Sequence, residues 1–240
     1  ARDLGNYSRA SHYAQMASSQ LNGIFSGVAF PMLCSIQNDM ERLARVYRQY
    51  LRVIAFIVFP LMVGMSSVAK PLIIVMLTEK WIDVVGLLQI ICLSMMWYPV
   101  HAINLSLLQV KGRSDLFLRL EVIKKIIIVI VMCITVPISI KAMVIGSLCT
   151  SLICLFINTY YTGKLINVGY LKQMKDLLPI LLLALFMGLC VYIITLVVPG
   201  YLLQLIIGVI SGMIIYVGIA YLFKMSELTE LLTLIKLRKK

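Results

Sequence analysis

Apolar runs separated by short polar or basic interruptions set the rhythm of this chain. At about 20 residues per bilayer crossing, they predict spanning helices near 11–34, 53–77, 84–110, 122–138, 142–161, 178–198 and 202–223. Pro60 with Gly64 predicts a kink in the second span, and Tyr98-Pro99 a break in the third. Between the first two, residues 35–52 read as a charged amphipathic connector capped by Asn38 or Asp39, with Glu41 and Arg45 at helical spacing. Gly112 and Ser114 supply the turn before the fourth span, and Ser114 or Asp115 would cap it. The fold class that follows is all-α, a polytopic transmembrane bundle of about seven spans.

The first span differs from the rest. His12, Gln15, Ser18, Ser19, Gln20, Asn22 and Ser26 interrupt its hydrophobes. A helix this polar does not face lipid all round, so it should line a hydrated cavity or pack on other helices.

Composition agrees with a membrane chain: of 240 residues, 61% are hydrophobic and only 13% charged, against about 25% charged in soluble domains. The formal charge of +12 would suggest nucleic acid in a soluble protein, but here the basic residues sit between apolar runs, where they orient the chain. No nucleic-acid partner is expected. The connector 35–52 carries four basic residues, the stretch 111–125 five, the loop 162–177 three and the C-terminal tail five; the intervening turns carry two, one and none. By the positive-inside rule the C-terminus is cytoplasmic and residues 1–10 lie on the opposite face, with Arg2 and Arg9 against the trend. All six cysteines lie within apolar stretches without metal or redox spacing, so they read as packing residues. Walker loops and zinc spacings are absent from the sequence. Neither a catalytic residue, a metal nor a cofactor is expected. The opening ARDLG has no initiator Met, which reads as a fragment.

Several stretches resemble a known family. LGNYSRA at 4–10, FPMLCSIQNDMERL at 30–43, FPLMVGMSSVAKPLI at 59–73, LLQVKGRSDLFLRLEVIKK at 107–125 and NTYYTGKLINVGYLKQMKDLLP at 158–179 are similar to the C-terminal half of Wzx-type O-antigen and capsule flippases. These fall within the multidrug/oligosaccharidyl-lipid/polysaccharide superfamily. The resemblance implies the second lobe of a two-lobed transporter: 1–163 as part of that lobe, and 164–240 as an extra C-terminal helix pair with a basic cytoplasmic tail. It also implies a missing N-terminal lobe of the same protein and translocation of an undecaprenyl-diphosphate-linked oligosaccharide across the bacterial inner membrane by alternating access. Membrane lipids, and polysaccharide polymerase or chain-length proteins, are the further partners it suggests.

A diphosphate-sugar lipid needs cations facing a wet cavity, with amides, hydroxyls and aromatics for the sugar. Arg9, His12, Gln15, Gln20, Asn22, Lys70, His101 and Asn104 are candidate cavity residues, and Lys111, Arg113, Lys124 and Lys125 candidate contacts for the lipid diphosphate at the cytoplasmic leaflet. Each has a plainer alternative. Lys70 can snorkel at the outer interface, Arg9 can anchor a helix end, His101 and Asn104 can bond between helices, and Lys124 and Lys125 can mark topology. The predicted spans contain almost no acid, and Glu121 is placed at a helix entrance. That scarcity favours an anionic cargo over the rival reading, a drug/cation antiporter of the same superfamily. A membrane-embedded glycan enzyme ranks behind both, because the outer turns are short, and a scaffold of an envelope complex is the remaining alternative.

Overall fold

The computed structural model describes residues 2–231; for 2, 3, 17 and 19–29 it describes the backbone alone. Helices fill it: α1 (Arg2–Ser35), α2 (Met40–Ser67), α3 (Ala69–Leu77), α4 (Asp83–Met95), α5 (Tyr98–Val110), α6 (Ser114–Thr135), α7 (Ile140–Ile166), α8 (Tyr170–Val197) and α9 (Tyr201–Leu222). A single 3-10 turn, Glu79–Trp81, separates α3 from α4, and no strand occurs among the described residues. Among the described residues, five stretches are long and apolar enough to cross a bilayer: α2, α4 with α5 as Asp83–Val110, α7, α8 and α9. The chain is an all-α polytopic membrane bundle. Helix α1 is long enough but too polar to join those five, and α6 carries Arg119, Glu121, Lys124 and Lys125 in its first half.

Two boundaries differ from the sequence pattern. The connector 35–52 is mostly not separate, since α2 begins at Met40. The Asp39 side chain accepts from Arg42 N at 3.0 Å, and the helix that starts there continues without a break to Ser67. Leu43, Tyr47 and Leu51, one turn apart, bury one stripe of this segment, so packing joins it to the apolar half. Likewise α6 starts at Ser114, eight residues before the expected span, and stops ahead of Pro137. Arg113 holds its N-cap position without a side-chain cap bond. Asp115 is instead held by Arg113 through two hydrogen bonds of 2.9 Å. Gly112, at φ +66°, makes the turn in a conformation that glycine adopts without strain.

The prolines act as their chemistry requires. Helix α2 runs unbroken past Pro60 and is interrupted only at Val68. The third span turns at Met96 and Trp97, just ahead of the expected Tyr98-Pro99, and Pro99 falls in the first turn of α5, where its missing N–H costs little. Ser139 caps α7 by accepting from Ala142 N at 3.0 Å, and Asn167 ends it in the left-handed region at φ 57°.

Helix α2 is central, packing on α8, α4 and α1. Its approach to α8 is close at Gly188, where an added methyl would collide with Val63. The turns sort by end. Lys111 Nζ donates to Gln37 O at 2.6 Å, and Arg45, Asn167 and Lys172 share a pocket. The turns at 36–39, 111–113 and 167–169 therefore gather at one end, which holds the connections richest in basic residues. At the other end Arg9 lies 4.9 Å over the Trp81 ring, and Lys70 shares a pocket with Gly200 and Tyr201.

Candidate functional site

Helices α5, α6 and α7, with Tyr7 of α1, enclose a cavity of about 760 Å³. Its lining on α6 runs from Phe117 to Met132, about 22 Å along a helix and much of the ~30 Å hydrocarbon core. One part of the wall is apolar, with Leu105, Ile128, Val131 and Met143; the other presents His101, Ser106, Gln109, Ser147, Thr150 and Ser151. Tyr98 and Phe117 add aromatic surface.

The charge in this cavity comes from α6. Glu121, Lys124 and Lys125 all line it, and Lys124 Nζ donates to Glu121 Oε1 across one helical turn. The Lys124 side chain is 11% exposed and that of Glu121 32%. An ammonium this enclosed is costly in a membrane without a counter-charge, and Glu121 provides one. Lys125, one position on, is exposed. The opposite face of α6 presents Val122, Ile126, Val129 and Ile130 outward, as a lipid-facing surface would.

Opposite this pair His101 bridges helices. Its Nε2 lies 3.2 Å from Ser151 Oγ, and Asn158 Nδ2 lies 3.1 Å from its Nδ1. Ser151 Oγ in turn donates to Ser94 O at 3.4 Å. Asn104, one turn further along α5, sits behind the cavity wall. Its amide exchanges bonds with Gln173 at 3.1 and 3.2 Å, and its Oδ1 accepts from Thr162 Oγ1 at 2.6 Å. Asn104, Thr162 and Gln173 are each at most 1% exposed. This buried amide cluster ties α5, α7 and α8 together, which is how polar side chains join helices inside a membrane.

The candidate residues read from the sequence do not converge on one place. His101, Lys124 and Lys125 share the cavity, while Asn104 belongs to the buried cluster. Lys111 and Arg113 lie in the turn between α5 and α6, engaged by Gln37 O and Asp115. Lys70 is exposed and faces a separate pocket of about 480 Å³ with Ser67, Gln89, Tyr192 and Gln204. Arg9 stacks on Trp81, His12 is exposed with its ring edge-on to Tyr13 at 6.1 Å, and Gln15 is exposed. The side chains of Gln20 and Asn22 lie outside the described residues, as does the tail from 232.

Sequence reasoning missed Glu121 as a cavity group. The signal was present: Glu121 stands three residues before Lys124 and four before Lys125, which places all three on one helical face once α6 begins at Ser114. It also missed Arg48–Asp176, a bidentate pair with both bonds at 2.7 Å that joins α2 to α8. Among the described residues no three His, Cys, Asp or Glu side chains assemble a metal site.

Fold and cavity together define a membrane bundle with a charged, partly apolar internal cavity, and the chain is similar in sequence and fold to known proteins. Residues 1–86 match the family model described as polysaccharide biosynthesis protein. An uncharacterized membrane protein in the cps region of Klebsiella pneumoniae is 32% identical over 126 residues, 52% of this chain and 26% of that one. The lipopolysaccharide biosynthesis protein WzxC of Escherichia coli is 31% identical over 120 residues, 50% of this chain and 24% of WzxC. The teichuronic acid biosynthesis protein TuaB of Bacillus subtilis is 28% identical over 116 residues, 48% of this chain and 24% of TuaB. In three dimensions the chain resembles lipid II flippase MurJ in its inward closed conformation. The TM-score is 0.70 at 19% identity, over 88% of this chain and 46% of MurJ, a likeness of fold. The resemblance to Wzx-type polysaccharide flippases of the multidrug/oligosaccharidyl-lipid/polysaccharide superfamily is borne out by these matches. The matched segments span about a quarter of the curated relatives' length.

Proposed function

We propose that this chain is part of a flippase that moves an undecaprenyl-diphosphate-linked oligosaccharide across the bacterial inner membrane for surface polysaccharide synthesis. One observation carries the reading: the enclosed Lys124 ammonium, beside Lys125 and a wall of hydroxyls and aromatics, in a cavity that runs about 22 Å along α6. An anionic diphosphate needs such cations in a low-dielectric site, and a sugar chain needs polar and aromatic partners. Transport would proceed by alternating access, with a further lobe of the same protein facing this one; the chain's match to 46% of the structural neighbour supports that arrangement. The protein is then a transporter and not an enzyme. The end bearing turns 36–39, 111–113 and 167–169 faces the cytoplasm, together with the C-terminus. On this reading 1–163 is part of the transporter lobe, and α8 and α9, within 164–240, are the added pair; a division in the last turn of α7, which ends at Ile166, is compatible with it.

Deleting the full-length gene in its host tests this. Loss of surface polysaccharide with accumulation of lipid-linked repeat units inside is the expected result. Glu121 favours a second reading, a drug/cation antiporter, because a carboxylate in the cavity can carry a coupling ion. Normal surface polysaccharide with altered sensitivity to cationic drugs or dyes would establish that reading instead.

A further inference from the structure

The cavity poses a problem of selectivity. An open cationic passage in a bilayer is surrounded by phospholipids whose phosphodiester headgroups carry one negative charge each, in great excess over any lipid-linked oligosaccharide. An unpaired lysine would gather them. In this structure Lys124 is not unpaired: Glu121 already occupies it, from within the same cavity wall.

We propose that Glu121 is the resident counter-anion of Lys124 and sets a charge threshold, so that a diphosphate displaces it while a singly charged phosphodiester does not. This rests on the reading of the cavity as the path of a lipid diphosphate. Two features of the geometry support it. First, the pair is an exchangeable contact, made by two flexible side chains one turn apart on α6. Second, Glu121 has somewhere to go. Lys125, four residues on and also lining the cavity, stands at the other favourable helical spacing. When Glu121 swings from Lys124 to Lys125 the cavity keeps its net charge, and the Lys124 ammonium turns to the incoming ligand. A carboxylate and a phosphodiester each offer one negative charge, so exchanging one for the other gains little and loses the contact already made within α6. A diphosphate brings at least two charges and more acceptor oxygens, which strengthens its charge-assisted bonds to Lys124. Glu121 is thus a specificity-determining residue that acts through Lys124.

The test uses the full-length protein in nanodiscs, with farnesyl diphosphate as the probe. Binding is measured in phosphatidylcholine alone and in phosphatidylcholine mixed with phosphatidylglycerol. Wild-type protein should bind the probe with the same Kd in both lipids to within about twofold. Glu121→Gln, which keeps size and an acceptor but removes the charge, should bind the probe about tenfold more tightly in phosphatidylcholine and lose most of that gain when phosphatidylglycerol is present. Glu121→Ala should behave in the same way, and unchanged melting of both variants shows that the cavity is intact. If Glu121→Gln matches wild type in both lipids while Lys124→Ala loses the probe, the threshold is refuted and the cavity reading stands. If Lys124→Ala binds the probe as wild type does, the cavity reading itself is refuted and the threshold with it.

Discussion

The Tyr216 hydroxyl donates to the Phe56 carbonyl at 2.9 Å. Phe56 lies four residues before Pro60, and proline has no N–H to offer that carbonyl. A tyrosine of α9 therefore completes the hydrogen bonding of α2 from outside, and the two rings pack with centroids 5.0 Å apart. In a bilayer a backbone carbonyl without a donor is expensive, so this contact explains how α2 passes Pro60 unbroken. Tyr216→Phe should lower stability by about 1–3 kcal/mol with little change in shape, read as a fall in melting temperature in detergent. Tyr216→Phe combined with Pro60→Ala should recover most of the loss, because the helix then supplies its own donor. A double variant as unstable as Tyr216→Phe alone would show that Tyr216 acts through packing.

Arg48 and Asp176 are joined as firmly but exposed unequally, 44% against 8% at their side chains. Removing one partner strands the other, and the cost depends on which is left behind. After Asp176→Ala the guanidinium can turn to water. After Arg48→Ala a carboxylate remains enclosed and unpaired, at a cost of about 3 kcal/mol. Arg48→Ala should therefore be the more damaging single change, and the double variant should be less damaging than the sum of both. Melting temperatures of the four proteins decide this; equal effects of the two single changes would contradict the account.

Much of the bundle was legible because bilayer physics writes it into the chain: runs of about 20 apolar residues and basic residues gathered at alternate turns. Where the pattern misled, packing had overruled composition. The arginine-rich stretch before Arg52 reads as a surface connector, yet Leu43, Tyr47 and Leu51 bury their stripe, and Arg48 finds Asp176 on a helix 128 residues away in sequence. No local signal announces such a partner. The site was half legible for the same reason. His101, Lys124 and Lys125 could be named as polar groups near apolar runs, but only the start of α6 at Ser114 turns Glu121 into a wall of the cavity.

Arg113 and Asp115 give the turn between α5 and α6 a pH signature. Two hydrogen bonds from the guanidinium hold the Asp115 carboxyl down at about 2, below the usual value of about 3.9. Because the folded value is the lower one, the pair's contribution is complete at neutral pH and is lost as pH falls from about 4 toward 2. The carboxyl carbon resonance of Asp115 should titrate near pH 2 in the native protein and return to about 3.9 in Arg113→Gln. A native midpoint already near 3.9 would mean that the pair does not persist in solution.

The most direct test of the central claim is export in the host cell, with the full-length gene carrying Lys124→Ala or Lys124→Arg in place of wild type and with protein levels checked in the membrane. If Lys124 meets the anionic cargo, Lys124→Ala should lower surface polysaccharide by about tenfold or more, the factor for one lost charge-assisted contact. Lipid-linked repeat units should accumulate inside, and Lys124→Arg should retain most of the export. Lys124→Ala at normal membrane levels with wild-type surface polysaccharide would contradict the account, leaving the enclosed lysine as a partner for Glu121 and not for a cargo.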